Sequence, residues 1–379
     1  MASLLDRWCQ ALEETEQIDV SIDQPHRDAV QLADAIMAVV RRSPSVRRLA
    51  GNPLLLRTLA QIYRKGRKLP ERRVELYLIA AETLGWEWPI SRGMSESDLI
   101  RPQTLTPVLA ALATWLREHE DRGLATFDDI REVAGNVLAE IDGLDRNSAN
   151  GRHLLDESLE RFLRIVREHT GLFVEKAEGR YGFVHPTFEE YYAARDLLEP
   201  DREPAIKIRE RLHDPRWEEA ILLAVGYVGM ESMRTATNLI QSAILAKGAE
   251  ADRLGLARSK AHDVLGLDQL FALRCLADQI PVLGSFSQRL LDDLVNALQH
   301  RQGHGRFQRY RRALFDLLPL LATGPAVKTV ISLLGADDIS VRRAAVQALA
   351  GVVGSDGEVR AAVLACLGAD DISVRRAAV

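Results

Sequence analysis

Apolar residues recur three and four positions apart along almost the whole chain, and Pro, Gly and paired Asp residues punctuate them. This pattern predicts helix nearly throughout, joined by short connections. One helix opens at Pro70 and places Val74, Tyr77, Ala81 and Leu84 on a single stripe. Three more are expected over 104–118, 126–141 and 154–168, the second announced by the capping pattern Thr126-x-x-Asp129. Only 172–185 reads as strand: two short runs rich in Phe, Val and Tyr flank the turn signal Ala177-Glu178-Gly179. A lone hairpin is marginal in water, so it must pack on the helices before it. Three helices followed by a hairpin is the order of a winged helix.

Near its end the chain repeats itself. The thirteen residues LGADDISVRRAAV occupy 334–346 and recur unchanged at 367–379, a period of 33. Repeats of this length with Ala, Leu and Val at helical spacing imply stacked helix pairs, and an array that stops inside a repeat is expected to continue beyond this sequence. The predicted fold is therefore all-α with one small β-hairpin. It divides into a helical bundle over 1–92, a winged helix domain over 93–200, a helical bridge over 201–322 and an α-solenoid of HEAT-like helix pairs over 323–379. Pro89 and Gly93 supply the first linker.

Charge adds a restriction. The formal net charge is -5 with acids and bases interspersed, so no chain-wide attraction to nucleic acid or anionic membrane follows. Arg161, Arg164 and Arg167 line one face of the third winged-helix helix, where a DNA reader would carry cations. Asp156, Glu157, Glu160 and Glu168 cancel that attraction, and a solvated face is the expectation. Cys9, Cys275 and Cys366 are single, without metal-ligand spacing, and read as reduced core residues. The first residues are amphipathic and acidic rather than signal-like, and the longest apolar run, 220–230, is too short to span a bilayer; a cytoplasmic protein is expected.

Two segments carry candidate chemistry. In Asn52-Pro53-Leu54-Leu55-Leu56 local physics already accounts for the residues: Asn52 caps a helix, Pro53 takes its first position and the leucines enter a core. In Tyr181-Gly182-Phe183-Val184-His185-Pro186-Thr187-Phe188-Glu189-Glu190-Tyr191, His185 ends the second strand and Thr187-x-x-Glu190 reads as a capping box. An imidazole then sits beside a helix start, where free N–H groups and the macrodipole favour an anion such as phosphate. No Ser/His/Asp set, zinc spacing or glycine-rich cofactor turn occurs in a suitable context, and Leu290-Leu291-Asp292-Asp293, which faintly mimics a Walker B end, lies in a helical pattern.

The run LAGNPLLLRTLAQIYRKGRKLPERRVELYLIAAETL, followed about 130 residues on by GLFVEKAEGRYGFVHPTFEEYYAARDLL, resembles the C-terminal half of a NACHT module of STAND-class NTPases. The resemblance covers 1 to about 200. It implies that Pro53 packs against the adenine and that His185 touches the β-phosphate of bound ADP, holding the inactive state. The family's phosphate-binding loop is missing: G-x-x-x-x-G-K-[ST] does not occur, nor does any Gly-Lys pair. Hydrolysis by this chain alone has no electrostatic support, and ADP or ATP is expected only together with the absent nucleotide-binding core, in a parent that would be an ATPase. The resemblance further implies a sensor portion that recognises a trigger or protein partner through the repeats and homo-oligomerises on activation, in bacterial defence or regulation. The competing reading is a stand-alone HEAT-like interaction scaffold with a vestigial NACHT half; a DNA-binding regulator is the weakest of the three.

Overall fold

The structure is a computed structural model that describes Ala38 and residues 72–91, 93–96, 98–119, 123–246, 266–300, 305–322, 326–354, 356–368 and 371–378. Pro53, Cys9 and the helix start at Pro70 lie outside the described residues. The chain divides into two compact units, Met1–Asp196 and Leu197–Val379. No helix among the described residues is long and apolar enough to cross a membrane.

In the first unit α1 (Arg73–Glu82) buries Val74, Tyr77 and Ala81, the stripe that its periodicity predicts. It runs on through a π-helical turn, Thr83–Glu87, into a last turn, Trp88–Ser91. Pro89, expected in a linker, is thus helical, and the irregular segment begins near Gly93 at φ 86°. Helices α2 (Pro102–His119), α3 (Phe127–Asp142) and α4 (Ala149–Ile165) follow, α2 against α3 and α3 against α4. The capping box at the start of α3 forms as its sequence implies: the Thr126 hydroxyl accepts from Asp129 N, and the Asp129 side chain accepts from Thr126 N at 2.8 Å. Helix α4 begins five residues earlier than periodicity alone suggests, because Ser148 caps it by accepting from Gly151 N. It ends in a second π-helical turn, Val166–Thr170, stopped by Gly171 in the left-handed region.

Strands β1 (Phe173–Ala177) and β2 (Arg180–Phe183) form an antiparallel hairpin, with Gly179 at φ 64° in its turn. The hairpin is not left on its own. Ala125 and Tyr181 exchange backbone hydrogen bonds of 2.8 and 2.9 Å, adding a one-residue third strand. That approach requires Gly182: a Cβ there would lie 2.6 Å from the carbonyl oxygen of Gly123. Helix α5 (Pro186–Leu197) then buries Phe188, Tyr191 and Tyr192 beneath the wing. The ring of Phe183 meets Phe173 edge-on at 5.2 Å and stacks with Tyr192 at 5.7 Å, so three elements share one aromatic core.

The second unit is helical throughout its described residues. It contains α6 (Pro204–Arg211), α7 (Glu218–Glu231), α8 (Met233–Leu239), α9 (Leu267–Ala277), α10 (Gly284–His300) and α11 (Gly305–Leu321). The apolar run at 220–230 becomes the buried helix α7, and Asp292 and Asp293 are exposed in the middle of α10. Asp268 binds His213 Nε2 at 2.7 Å and Arg209 Nη1 at 3.3 Å, and Arg209 also donates to the carbonyl of Ile244 at 2.9 Å. This buried, compensated cluster ties α6 and α9 to the π-helical turn Ile240–Ile244.

The chain finishes with α12 (Val327–Ser332), α13 (Ile339–Ala350), α14 (Gly357–Ala365) and α15 (Ile372–Ala378), in which α11, α13 and α15 stack in turn. The last aspartate before the helix caps it in the same way in both copies, accepting from the serine two residues on, Asp338 from Ser340 N and Asp371 from Ser373 N, each at 2.7 Å. Asp338 is also paired with Arg311 of the preceding stacked helix. Of the cysteines expected in the core, Cys275 is buried in α9, whereas Cys366 is only half-buried, because the short helical turn that carries it has no buried residue.

Candidate functional site

The motif around His185 combines core letters with surface ones, Val184 and Pro186 being exposed. Phe183, Phe188 and Tyr191 are buried, and the carboxylates of Glu189 and Glu190 turn towards Arg117 near the end of α2, at 3.4 and 4.0 Å. Glu189 is mostly buried. Burial pushes its pKa up, an effect that Arg117 and Lys176 oppose. Gly123 is at φ 63°, and a Cβ there would lie 3.4 Å from Glu189 Oε2. His185 is half-exposed at this corner.

The strand stops at Phe183, two residues short of His185, and Val184 N donates to Leu172 O at 2.9 Å. Pro186 takes the first position of α5, so the expected Thr187–Glu190 capping box does not form. The cap is His185 itself: Thr187 N donates to its Nδ1 at 3.2 Å, and Phe188 N donates to its carbonyl oxygen at 3.1 Å. This corrects the expectation of free backbone amides. Pro186 has none, and the next two are used internally, so an anion arriving here would meet the imidazole rather than a ring of N–H groups.

The same bond fixes the chemistry of the ring. Nδ1 is an acceptor, which puts the proton of the neutral imidazole on Nε2. Burial lowers the pKa of His185, and nearby Lys176 lowers it further, so the ring is neutral near pH 7. Nε2–H makes no hydrogen bond among the described residues. The corner therefore offers one oriented neutral donor, the positive end of a helix, and Lys176 within electrostatic reach. Lys176 was invisible to motif reading, since the hairpin register alone brings it near. Pro53, the other sequence-based candidate, lies outside the described residues, and no group of His, Cys, Asp and Glu suited to a metal occurs among them.

The arginine face of α4 is a separate surface. Arg161, Arg164 and Arg167 are exposed, with Arg161 reaching the carbonyl of Asp98 at 3.5 Å and Arg167 paired with Glu168 at 2.9 Å. Along the same helix Asp156 holds Arg131 at 2.7 Å and Glu157 faces His153 at 3.6 Å. The cations are interleaved with acids rather than gathered into a stripe.

Comparison with known families adds one match. Residues 90–197 match the family model of the winged helix-turn-helix domain C-terminal to NACHT, so this stretch, from the last turn before Gly93 to the end of α5, is similar to a NACHT-associated C-terminal domain. No curated protein and no solved structure matches the chain.

Proposed function

We propose that this chain is the regulatory and sensing portion of a NACHT-type signalling NTPase. In this reading the winged helix holds an ADP-bound inactive state through His185, and the HEAT-like helix pairs recognise a trigger or protein partner. The match over 90–197 supports the NACHT association. The observation that carries the nucleotide contact is the tautomer of His185, whose Nδ1 is committed to Thr187 N so that Nε2–H remains as a donor. A neutral imidazole donor suits the β-phosphate of ADP, and because it caps α5 of the winged helix domain, the contact would break when that domain moves away. ADP would then stabilise the closed arrangement only through interactions that opening breaks, which is the requirement for a population shift. Pro53 would meet the adenine, and exchange for ATP would permit oligomerisation. Catalysis would reside in a nucleotide-binding core outside this sequence, and a cytoplasmic role in bacterial defence or regulation completes the proposal.

The second reading, a stand-alone scaffold, is favoured by one observation: Ile339 and Ile372, equivalent positions of the two repeats, are 46% and 60% exposed. One experiment separates the two. The native protein is captured from its source cells with an antibody against residues 325–379, and its mass and co-purifying nucleotide are measured. The nucleotide reading expects a species well above 42.2 kDa carrying ADP, with less ADP retained by His185→Ala. A nucleotide-free species of 42.2 kDa would leave the scaffold.

A further inference from the structure

Beside the turn joining α6 to α7, and between α9 and α11, lies a half-open cleft of about 370 Å³. That is near the lower end of small-molecule sites, which run from roughly 300 to 1,000 Å³. Its walls are mostly apolar and include Leu212, Leu270, Phe271, Leu317 and Leu320. They are also held in place: Leu212 adjoins His213, which the buried Asp268 clamps together with Arg209.

The lining also includes three carboxylates, Asp214, Glu218 and Asp316, and the guanidinium of Arg274. Two are already compensated, Asp214 by Arg216 at 2.7 Å and Glu218 by Arg274. Asp316 projects from α11, is exposed, and has no hydrogen bond or ion pair among the described residues. An anion entering this cleft would be repelled by Asp316, and a neutral apolar body would cover part of that carboxylate's hydration without replacing it. A cation on an apolar body avoids both costs. We infer that the cleft binds a small organic cation, an ammonium group on an aromatic or branched aliphatic body, with the body against Phe271 and Leu317 and the ammonium at Asp316. This site is independent of the nucleotide contact at His185.

Three indoles of similar size test the idea by titration calorimetry on the full chain: tryptamine (cationic), tryptophol (neutral) and indole-3-propionate (anionic). Tryptamine should bind about 3- to 5-fold more tightly than tryptophol, the range expected of a partly exposed ion pair, with the anion weakest and added salt narrowing the gap. Asp316→Asn, on an exposed helical position, should bring the tryptamine-to-tryptophol ratio close to one. Ala313→Trp, which fills the cleft from α11, should remove binding of all three. Equal affinities in the wild type, an unchanged ratio in Asp316→Asn, or no binding by any of the three would overturn the inference.

Discussion

The wing corner of the first unit and the terminal repeats of the second bury their cores in opposite ways. At the wing, Phe173, Phe183 and Tyr192 come from two strands and a helix, and each ring packs against a ring from another element. In the repeats the buried residues include Val341, Ala345, Val346, Leu349 and Val374, and Asp338, Asp356 and Asp371 each cap a helix by accepting from the backbone N–H two residues on. The wing depends on a few large, non-local interactions that hold one half-exposed histidine at a defined place. The repeats depend on many small local ones that reproduce a surface at a fixed interval. The proposed switch would use both: a corner that registers a single contact, and an array that varies without disturbing it.

Substitutions sharpen that contrast. Phe183→Ala should have the largest effect, about 3–5 kcal/mol from lost burial and the remaining cavity, against about 2 kcal/mol for Val346→Ala in the repeats. Urea unfolding followed by hydrogen exchange reads the two units separately, and equal losses would erase the distinction. Gly182→Ala comes next, since its Cβ would press on the Gly123 carbonyl; a cost of roughly 1–3 kcal/mol is expected, with faster exchange at Ala125 and Tyr181.

Asp338→Ala should cost about 1–2 kcal/mol through the lost cap, and here pH provides a second handle. Burial opposes ionisation of Asp338, but the Ser340 hydroxyl and Arg311 outweigh it and hold its pKa at about 2. Because the folded value lies below the unfolded one of about 3.9, the contribution is present above about pH 4 and lost as the pH falls towards about 2. Acid titration of the melting temperature should therefore bring wild type and Asp338→Ala together in that window; curves that stay parallel would remove Asp338 from the account. The smallest effect is that of Thr126→Ala, about 1 kcal/mol from the capping box, visible as a lowered melting temperature of the first unit.

Local rules read well from the sequence where the partners are near neighbours. The Thr126–Asp129 box, the Gly179 turn and the helical stripe of α1 each need only a few residues of context. The miss at α5 is of a different kind: Thr187-x-x-Glu190 satisfies the capping pattern, but Pro186 at the first helical position shifts the cap back to His185, whose ring can play the part of a side-chain oxygen. The Arg117–Glu189 and His213–Asp268 pairs could not be read at all, since each joins elements more than 50 residues apart and their partners look like ordinary surface charges. The π-helical turns at Thr83–Glu87 and Val166–Thr170 were equally hidden, being single-turn departures inside a helical period.

The central claim is that nucleotide is sensed at the wing corner and not in the repeats. Hydrogen–deuterium exchange on the protein isolated from its source cells, with and without ADP, tests it most directly. The account predicts slower exchange at the amides of Thr187 and Phe188, because holding His185 also holds the cap, while 339–350 and 372–378 stay unchanged. Unchanged exchange at Thr187 and Phe188 in the presence of ADP would contradict it.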